Sequence, residues 1–578
     1  MRILFITTPS RLSTPNYMIP SGILALAAYM RKFGHLVYVV DAALKLYPHD
    51  LTARLACDFK PDLIGVGGII TSYSFCVGLT RALKKIMPNV PIVLGGQVTI
   101  NNTVNCFEHM PIDYMVYGYG EIPLQKIVQH LEGKLKIEGI PGISYRKGDI
   151  VHESPGREFV EDINSLPLPA YDLVDMEYYV TVFKKNPTLD IWLKKCGKTT
   201  SSYRLATIMG ALGCVARCTF CVHEQEYLGI KYFSHEYVLN HLAYLYQQYG
   251  VRIFAIGEEM FLSNVNRVLE FNKLLLEKYP DVYWRTATRS DFINEQLVRA
   301  LDARGSNCYT VVFGYESGSQ RILDIMNKGT KREDNIRAYK LLRSSQALGV
   351  AAALMVGNVG ENMESIKETI SSIHECGLYD STVFFTSPYP GGRIWDWACE
   401  NKIITDTHEY LMAVSNVDPT SRINVNLTPY PNWVLWFWKG LIIWHMNFEK
   451  YKHLQHEWSF KQKFSFWMRG LFPLSNSKLV MSNGSISSKR LKAFCEIFLT
   501  VIMRVCPIWF IKISLWVYFV FPKKSIPEKY YFNTDSKGAL LPKRIRKGSL
   551  QRYLIDQELR DLSLSDQLIY SLDAKKNV

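Results

Sequence analysis

Short apolar runs alternate with amphipathic stretches over the first part of the chain. The apolar runs are RILFITT, HLVYVVD, DLIGVGG, PIVLGG and DYMVYG, and helical periodicity recurs between them. Continuous apolar strands separated by helices are typical of a doubly wound parallel sheet, because helices cover both of its faces. We therefore predict a Rossmann-like α/β domain over residues 1–140.

Glycines and small polar residues stand where these strands are predicted to end. In open α/β sheets ligands bind at the carboxyl ends of strands, where glycine lets the backbone approach a bulky ligand. The sequence thus predicts a cofactor or nucleotide site here, and the alternative is that the glycines serve only to form tight turns. The residues concerned are Thr8, Gly68, Gly95, Gly96, Gly118, Tyr119 and Gly120.

A second series of alternating strands and helices is predicted after a linker at residues 141–200. The linker contains a short predicted hairpin. Six β/α units over residues 201–417 favour a (β/α)6 partial TIM barrel, with its chemistry at the carboxyl ends of the strands. The predicted strands are Arg204–Met209, Arg252–Gly257, Val282–Thr288, Tyr309–Tyr315, Val350–Gly357 and Thr382–Pro388.

Residues 418–578 are predicted to be mainly helical and rich in aromatic side chains. Two apolar segments stand out there, at Asn432–Phe448 and Ala493–Phe521. The second is long, but Arg504 and Lys512 interrupt it, and a charge at a bilayer centre costs about 2.5–3.5 kcal/mol on insertion scales. A helix lying in the membrane interface therefore fits better than a membrane span, and a buried helical core is the alternative.

Composition and charge narrow the class of protein. The 578 residues are 48% hydrophobic, too apolar for a disordered chain, and the formal net charge is +14. Basic residues at 523–524 and 543–547 follow the apolar stretch, which suits an anionic membrane surface better than nucleic acid; a solvated basic tail remains the alternative. The start of the chain does not resemble a signal peptide, so we expect a cytoplasmic protein whose 12 cysteines need not form disulfides.

Three cysteines lie close together in the loop after the first predicted barrel strand. Cys214, Cys218 and Cys221 have the spacing C-x3-C-x2-C. Three thiolates can hold three irons of a cubane cluster and leave the fourth iron open for another ligand. A structural Cys3His zinc site that includes His223 is the main alternative on spacing alone.

With these motifs in order, the chain resembles the cobalamin-dependent branch of the radical SAM superfamily over residues 1–392. The resemblance implies that Cys214, Cys218 and Cys221 ligate a 4Fe-4S cluster whose open iron binds S-adenosylmethionine (SAM). Phe220 would lie near the adenine. Either Glu258 or Glu259 would receive the amino group of SAM, unless both only cap a helix.

The segment Phe313–Ser319 is similar to the family's G-x-E-S-G-S stretch. By this resemblance Glu316 accepts hydrogen bonds from the ribose, and Ser317 and Ser319 reach the methionyl end of SAM. Arg289 would bind the SAM carboxylate, with an ordinary surface salt bridge as the alternative.

The chain departs from the family pattern in three places. Val359 replaces a proline in a G-x-P-G-E loop, and Gly392 replaces a threonine in a P-Y-P-G-T segment. The N-terminal turns resemble cobalamin-facing turns of the family, and this resemblance adds Thr71 and Glu121 to the residues expected at the cofactor site. Residues 8–22, however, contain no histidine. A bound cobalamin would then lack the lower cobalt ligand of a D-x-H-x-x-G motif.

The resemblance implies an enzyme that generates a 5′-deoxyadenosyl radical and methylates an unactivated carbon through methylcobalamin. Cyclisation, ring rearrangement or oxidation without methyl transfer is the alternative, followed by a non-catalytic cobalamin or redox sensor and a zinc-dependent nucleic-acid binder. We expect a small-molecule substrate, lipid-like or a natural-product intermediate. We also expect an external electron donor such as flavodoxin or ferredoxin, no nucleic acid, and peripheral membrane contact through the C-terminal region.

Overall fold

The computed structural model describes most of the first 454 residues. The described ranges are 1–11, 18–154, 156–222, 229–257, 260–302, 305–345, 347–379, 381–415 and 420–454, with two short strands at Asn533–Thr534 and Leu540–Leu541. Several predicted features lie outside them, namely Glu258, Glu259, His223, the segment Ala493–Phe521 and the basic residues at 523–547. The chain divides into two compact units. The first unit comprises Met1–Gly314, Leu341–Ala351 and Ser387–Val425. The second unit comprises Tyr315–Lys340, Ala352–Thr386 and Asn426–Val578.

The first unit begins with a seven-stranded sheet in the order β2-β1-β3-β4-β5-β6-β7. Strands β1 to β5 are parallel, as the continuous apolar runs predict, and β6 and β7 form an antiparallel hairpin that extends the sheet. The predicted hairpin of the linker is therefore part of this sheet. The strands are β1 Arg2–Thr7, β2 Leu36–Val40, β3 Leu63–Gly67, β4 Ile92–Gly95, β5 Tyr114–Val116, β6 Ile143–Lys147 and β7 Ile150–Glu153.

Helices pack on both faces of this sheet, and two separate hydrophobic clusters fill the space between the layers. The helices are α1 Ser21–Lys32, α2 Ala42–Lys45, α3 His49–Asp58, α4 Tyr73–Ile86, α5 Thr103–His109 and α6 Glu121–Leu131. Two further helices, α7 Met176–Thr181 and α8 Pro187–Cys196, follow the hairpin.

The second parallel sheet contains all six strands that the sequence predicts. In the first unit its order is β8-β11-β12-β13-β14, and in the second unit β14 pairs with β15. Its strands are β8 Leu205–Ile208, β11 Ile253–Ile256, β12 Tyr283–Arg289, β13 Cys308–Glu316, β14 Gly349–Val356 and β15 Ser381–Phe385. Between β8 and β11 the short strands β9 Ala211–Leu212 and β10 Lys231–Tyr232 form an antiparallel pair.

Helices connect these strands in the alternation expected of β/α units. They are α9 His235–Tyr249, α10 Val265–Lys278, α11 Glu295–Ala300, α12 Gln320–Ile325, α13 Arg332–Ser344 and α14 Met363–Cys376. The helices α15 Arg393–Glu400, α16 Thr407–Val414 and α17 Asn432–Leu454 follow the last strand. Within the described ranges no helix is long and apolar enough to cross a membrane.

The segment after β15 returns to the N-terminal sheet. Leu411 and Val414 of α16 are fully buried in the core cluster that α3, α4 and the first sheet form. The backbone N–H of Ser74 donates to Ser415 Oγ at 3.0 Å, and Tyr73 OH lies 2.8 Å from His408 Nδ1. Helix α16, which the sequence assigns to the barrel region, thus packs on the N-terminal domain.

Candidate functional site

A cavity of about 570 Å³ lies at the carboxyl ends of the parallel strands β1, β3, β4 and β5. Its walls include eight of the nine residues that the sequence predicts for a cofactor site in this domain, and the start of helix α1 closes one side. Thr71 is not among its lining residues. The predicted residues that line it are Thr8, Gly68, Gly95, Gly96, Gly118, Tyr119, Gly120 and Glu121.

The glycines of this cavity are required where the turns approach each other. Gly96 has φ +81° and ψ −169°, a conformation essentially confined to glycine. A β-carbon on Gly96 would lie 2.7 Å from the carbonyl oxygen of Gly68, and a β-carbon on Gly68 would collide with the Thr8 hydroxyl. Gly68 and Gly96 therefore do more than shorten the turns, because a β-carbon at either residue would collide with a neighbouring turn.

Two polar groups in the cavity wall suit a polar ligand. The hydroxyl of Ser72 is fully buried and has no hydrogen-bond partner among the described residues. Burial raises the pKa of Glu121, which follows the turn at Gly118. A buried hydroxyl without a partner is costly, so a ligand that hydrogen-bonds to Ser72 is expected here. A cavity with mostly apolar walls and these two polar groups is suited to bind part of a cobalamin molecule.

The three predicted cluster cysteines lie on one loop that a strand pair closes. Strands β9 and β10 pair at Leu212 with Lys231 and at Ala211 with Tyr232, on either side of the loop. Cys214 and Cys218 are buried and Cys221 is half-buried. The backbone N–H of Cys221 donates to the carbonyl of Cys218 at 3.2 Å, which forms a turn between them. The sequence does not reveal the closing strands, since they are only two residues long.

Two N–H donors lie near the sulfur atoms of this loop. The N–H of Ala216 donates to Cys214 Sγ at 3.4 Å, and Arg289 Nη1 lies 4.0 Å from Cys218 Sγ. Asp291 holds the guanidinium through two hydrogen bonds of 3.1 Å. Burial lowers the pKa of Arg289, but the hydrogen bond to Asp291 and the nearby thiols outweigh burial and raise it overall. Arg289 is buried, so its salt bridge is not on the surface.

This donor set fits an iron–sulfur cluster. Three thiolates from one loop can bind three irons of a cubane and leave the fourth iron open for another ligand. His223, the fourth donor of the alternative zinc site, lies outside the described residues. Phe220, the predicted adenine neighbour, is half-buried on the same loop.

The segment that departs from the family pattern at Gly392 supports the cysteine loop. The N–H of Ile394 donates to the carbonyl of Thr219 at 3.0 Å, and a β-carbon on Gly392 would lie 3.2 Å from that carbonyl. Gly391, with φ +93°, packs directly against Ile100 of the N-terminal domain. Glycine in place of threonine thus accompanies a tight contact between this segment and the loop.

In the second unit, Glu316 ends strand β13 in an unusual backbone conformation. Its φ is +56°, which costs about 1–3 kcal/mol for a residue other than glycine. The carboxylate is buried, and its Oε1 accepts a hydrogen bond of 2.9 Å from Lys328 Nζ. Strained residues cluster at functional sites, so this geometry supports the predicted role of Glu316.

The two predicted serines differ in their contacts. Ser317 Oγ accepts from the N–H of Ser319 at 3.1 Å and lies 3.3 Å from Thr369 Oγ1, so it stabilises the turn. Ser319 Oγ is buried and has no hydrogen-bond partner among the described residues. Ser319 is therefore better suited than Ser317 to receive a ligand.

The loop with Val359 in place of proline is stabilised by a buried carboxylate. Glu361 Oε2 accepts from the N–H groups of Gly357 and Asn358 at 2.5 and 3.3 Å. Burial raises the pKa of Glu361 to about 7. Gly360 keeps a φ of +77° without the proline. The loop is therefore held by hydrogen bonds to Glu361.

Known protein families match both the N-terminal domain that contains the cavity and the domain that contains the cysteine loop. The model of the B12 binding domain matches residues 9–128, and the model of the radical SAM superfamily matches residues 209–373. An uncharacterized methyltransferase of Pyrococcus horikoshii is 25% identical over 407 residues, which are 70% of this chain and 83% of that protein. An anaerobic magnesium-protoporphyrin IX monomethyl ester cyclase of Rubrivivax gelatinosus is 25% identical over 398 residues, 68% of each chain.

A solved structure shares the fold. The radical SAM methyltransferase TsrM of Kitasatospora setae, solved with cobalamin and a 4Fe-4S cluster bound, has a TM-score of 0.54 and 16% sequence identity. The match covers 70% of this chain and 75% of TsrM. The predicted Rossmann-like domain and partial barrel are thereby confirmed.

The chain is a radical SAM enzyme. More narrowly, its N-terminal B12-binding domain makes it a cobalamin-dependent one, which confirms the family and the cofactors that the sequence motifs predict: SAM, a 4Fe-4S cluster and cobalamin.

Proposed function

We propose that this enzyme transfers a methyl group from SAM to an unactivated carbon of a lipid or a natural-product intermediate. The observation that carries the proposal is that one compact unit holds both the cavity at the strand ends of the B12-binding domain and the loop of three cysteines. Methyl transfer to a carbon radical needs both cofactors, because the cofactors and not the protein side chains carry out the radical and methyl-transfer chemistry.

When bound, the cluster supplies an electron for reductive cleavage of SAM, and cobalamin supplies a methyl carrier. Cys214, Cys218 and Cys221 would hold the cluster, and Phe220 would flank the adenine. Arg289, fixed by Asp291 beside Cys218, would keep positive charge next to the thiolates and receive the SAM carboxylate.

The family resemblance gives three further residues a part in binding SAM. Glu316 would accept hydrogen bonds from the ribose hydroxyls, and the buried hydroxyl of Ser319 would bind the methionyl end. Ser317 would contribute by fixing the turn between them. In the B12-binding domain, the backbone at Gly68, Gly96 and Gly118 would contact the corrinoid.

The names of relatives favour methyl transfer but keep a second candidate open. The Pyrococcus horikoshii relative is named a methyltransferase, and the Rubrivivax gelatinosus relative is named a cyclase. Ring closure on a substrate radical, without methyl transfer, is therefore the alternative function.

Helix α17 favours an apolar substrate. A β-carbon on Gly357, which follows strand β14, would lie 3.0 Å from Leu435, and the ring of Trp436 lies 4.7 Å from that of Phe385 on β15. This helix thus places apolar side chains near the carboxyl ends of two strands, where barrel enzymes bind substrates. Its exposed Trp433 supports peripheral contact with a membrane that delivers a lipid-like substrate.

The test uses SAM labelled in its methyl group with the anaerobically reconstituted full chain. Cobalamin reduced by dithionite, or by a flavodoxin or ferredoxin, should acquire the label while S-adenosylhomocysteine forms in equal amount, before any substrate is known. Formation of 5′-deoxyadenosine with no label in cobalamin would contradict methyl transfer and favour the cyclase alternative. Sedimentation with anionic and neutral vesicles tests the membrane contact separately.

A further inference from the structure

Glu316 and Lys328 form a buried ion pair that the predicted chemistry does not explain. Their side chains are 9% and 7% exposed, and Lys328 Nζ lies 2.9 Å from Glu316 Oε1. Burying two charges is costly even when they are paired, so a pair at this position needs a reason other than stability. Oε2 of Glu316 makes no hydrogen bond to another described residue.

The backbone around Glu316 is held as firmly as its side chain. Asn335 on α13 is fully buried, and its Nδ2 donates to the carbonyls of Tyr315 and Ser317 at 2.8 and 3.3 Å. These two carbonyls flank the left-handed residue. A strained conformation persists only when its surroundings determine it, and here one side chain fixes the peptide while another fixes the carboxylate.

The backbone conformation around Lys328 is also fixed. Its N–H donates to the carbonyl of Leu323 at 3.0 Å at the end of α12, and the residues on either side, Asn327 and Gly329, have φ of +48° and +70°. This tight turn directs the lysine back under the end of β13. A flexible surface lysine would not need such a turn.

We propose that Lys328 is a positioning residue for the ribose contact: it holds Oε1 of Glu316 so that Oε2 faces the ribose hydroxyls of SAM. The inference rests on the ribose role of Glu316 in the proposed function. Lys328 acts through Glu316 and does not touch SAM. A carboxylate that is fixed in advance loses less conformational entropy when it binds, so the lysine raises affinity for a nucleoside with intact ribose hydroxyls.

The experiment measures binding by calorimetry to the anaerobically reconstituted full chain. The probes are S-adenosylhomocysteine and its 3′-deoxy analogue, neither of which is cleaved. A charged hydrogen bond to the missing hydroxyl predicts that the native protein prefers S-adenosylhomocysteine by about 10–100-fold. In Lys328→Met this preference should fall to within about threefold at unchanged iron content, and Lys328→Arg should restore part of it.

Two further variants make the result decisive. Lys367→Met removes the lysine of a more exposed pair with Glu364 on α14 and should keep the native preference. If Lys328→Met does not fold because one buried charge remains, Glu316→Gln combined with Lys328→Met removes both charges and should fold without the preference.

Each possible result decides between the two proposals. A native preference that survives in Lys328→Met overturns the role of Lys328 and leaves the ribose role of Glu316 standing. A preference that survives in the folded double variant, which also lacks the carboxylate, overturns both roles. Neither result affects the proposal of methyl transfer. If the native protein shows no preference and Glu316→Gln binds both probes as the native protein does, the ribose role of Glu316 is wrong, and the inference fails with it.

Discussion

Gly96 offers the sharpest test of the B12-binding cavity. Replacing it with alanine places a β-carbon 2.7 Å from the carbonyl oxygen and 3.0 Å from the nitrogen of Gly68, at a residue whose φ is +81° and ψ is −169°. The left-handed conformation alone costs about 1–3 kcal/mol in a residue with a side chain. If the turn moves to relieve this strain, cobalamin affinity should fall by about 5–150-fold, since 1.4 kcal/mol is a factor of ten.

The assay is the affinity of Gly96→Ala for cobalamin, from spectral titration of the anaerobic protein, with iron content measured in parallel. We expect weaker cobalamin binding and normal iron. Gly148→Ala is the matched control, because Gly148 also has a positive φ of +62° but lies at the tip of the β6–β7 hairpin with nothing within 4 Å of the added carbon. Native affinity in Gly96→Ala, or equal losses in both variants, would refute the assignment of the cavity.

Three other predictions address the cluster, the return segment and the buried carboxylate. Cys218→Ala should abolish SAM cleavage while cobalamin binding persists, measured as 5′-deoxyadenosine and bound corrinoid; loss of both would contradict separate sites. Leu411→Ala should destabilise the N-terminal unit by about 2–5 kcal/mol in denaturant titrations, whereas the exposed Met412→Ala should change little. Glu361 has its pKa raised to about 7 in the folded state, so the folded protein binds a proton more tightly than the unfolded chain. Stability from this group is therefore present at pH 4.5 and lost as pH rises to 7, and Glu361→Gln should flatten this fall in melting temperature; an unchanged profile would contradict it.

The sequence predicts most of the architecture because local patterns determine it. All six barrel strands occur within three residues of their predicted bounds, and five N-terminal apolar runs are strands. The motif residues of the N-terminal turns meet in one cavity because parallel strands end at the same edge of a sheet. Ser72 also lines this cavity and ends the family-like turn Gly67–Ser72, but the motif does not reveal that its hydroxyl is buried without a hydrogen-bond partner among the described residues.

What the sequence could not predict depends on contacts between distant residues. Helix α16 packs on the N-terminal domain through Leu411, and nothing in its amphipathic pattern specifies a partner. The burial of Arg289 and the pairing of Lys328 with Glu316 likewise depend on the folded chain. The roles of Glu258 and Glu259 in SAM binding stay predictions, since both lie outside the described residues.

The central claim is that three thiolates from one loop hold a cubane whose fourth iron binds SAM. The most direct measurement is electron paramagnetic resonance of the anaerobically reconstituted, reduced protein before and after SAM is added, together with its iron and sulfide content. We predict about four iron and four sulfide per chain and a cluster signal that shifts when SAM binds. Zinc in place of iron, or a cluster signal that SAM leaves unchanged, would contradict the account.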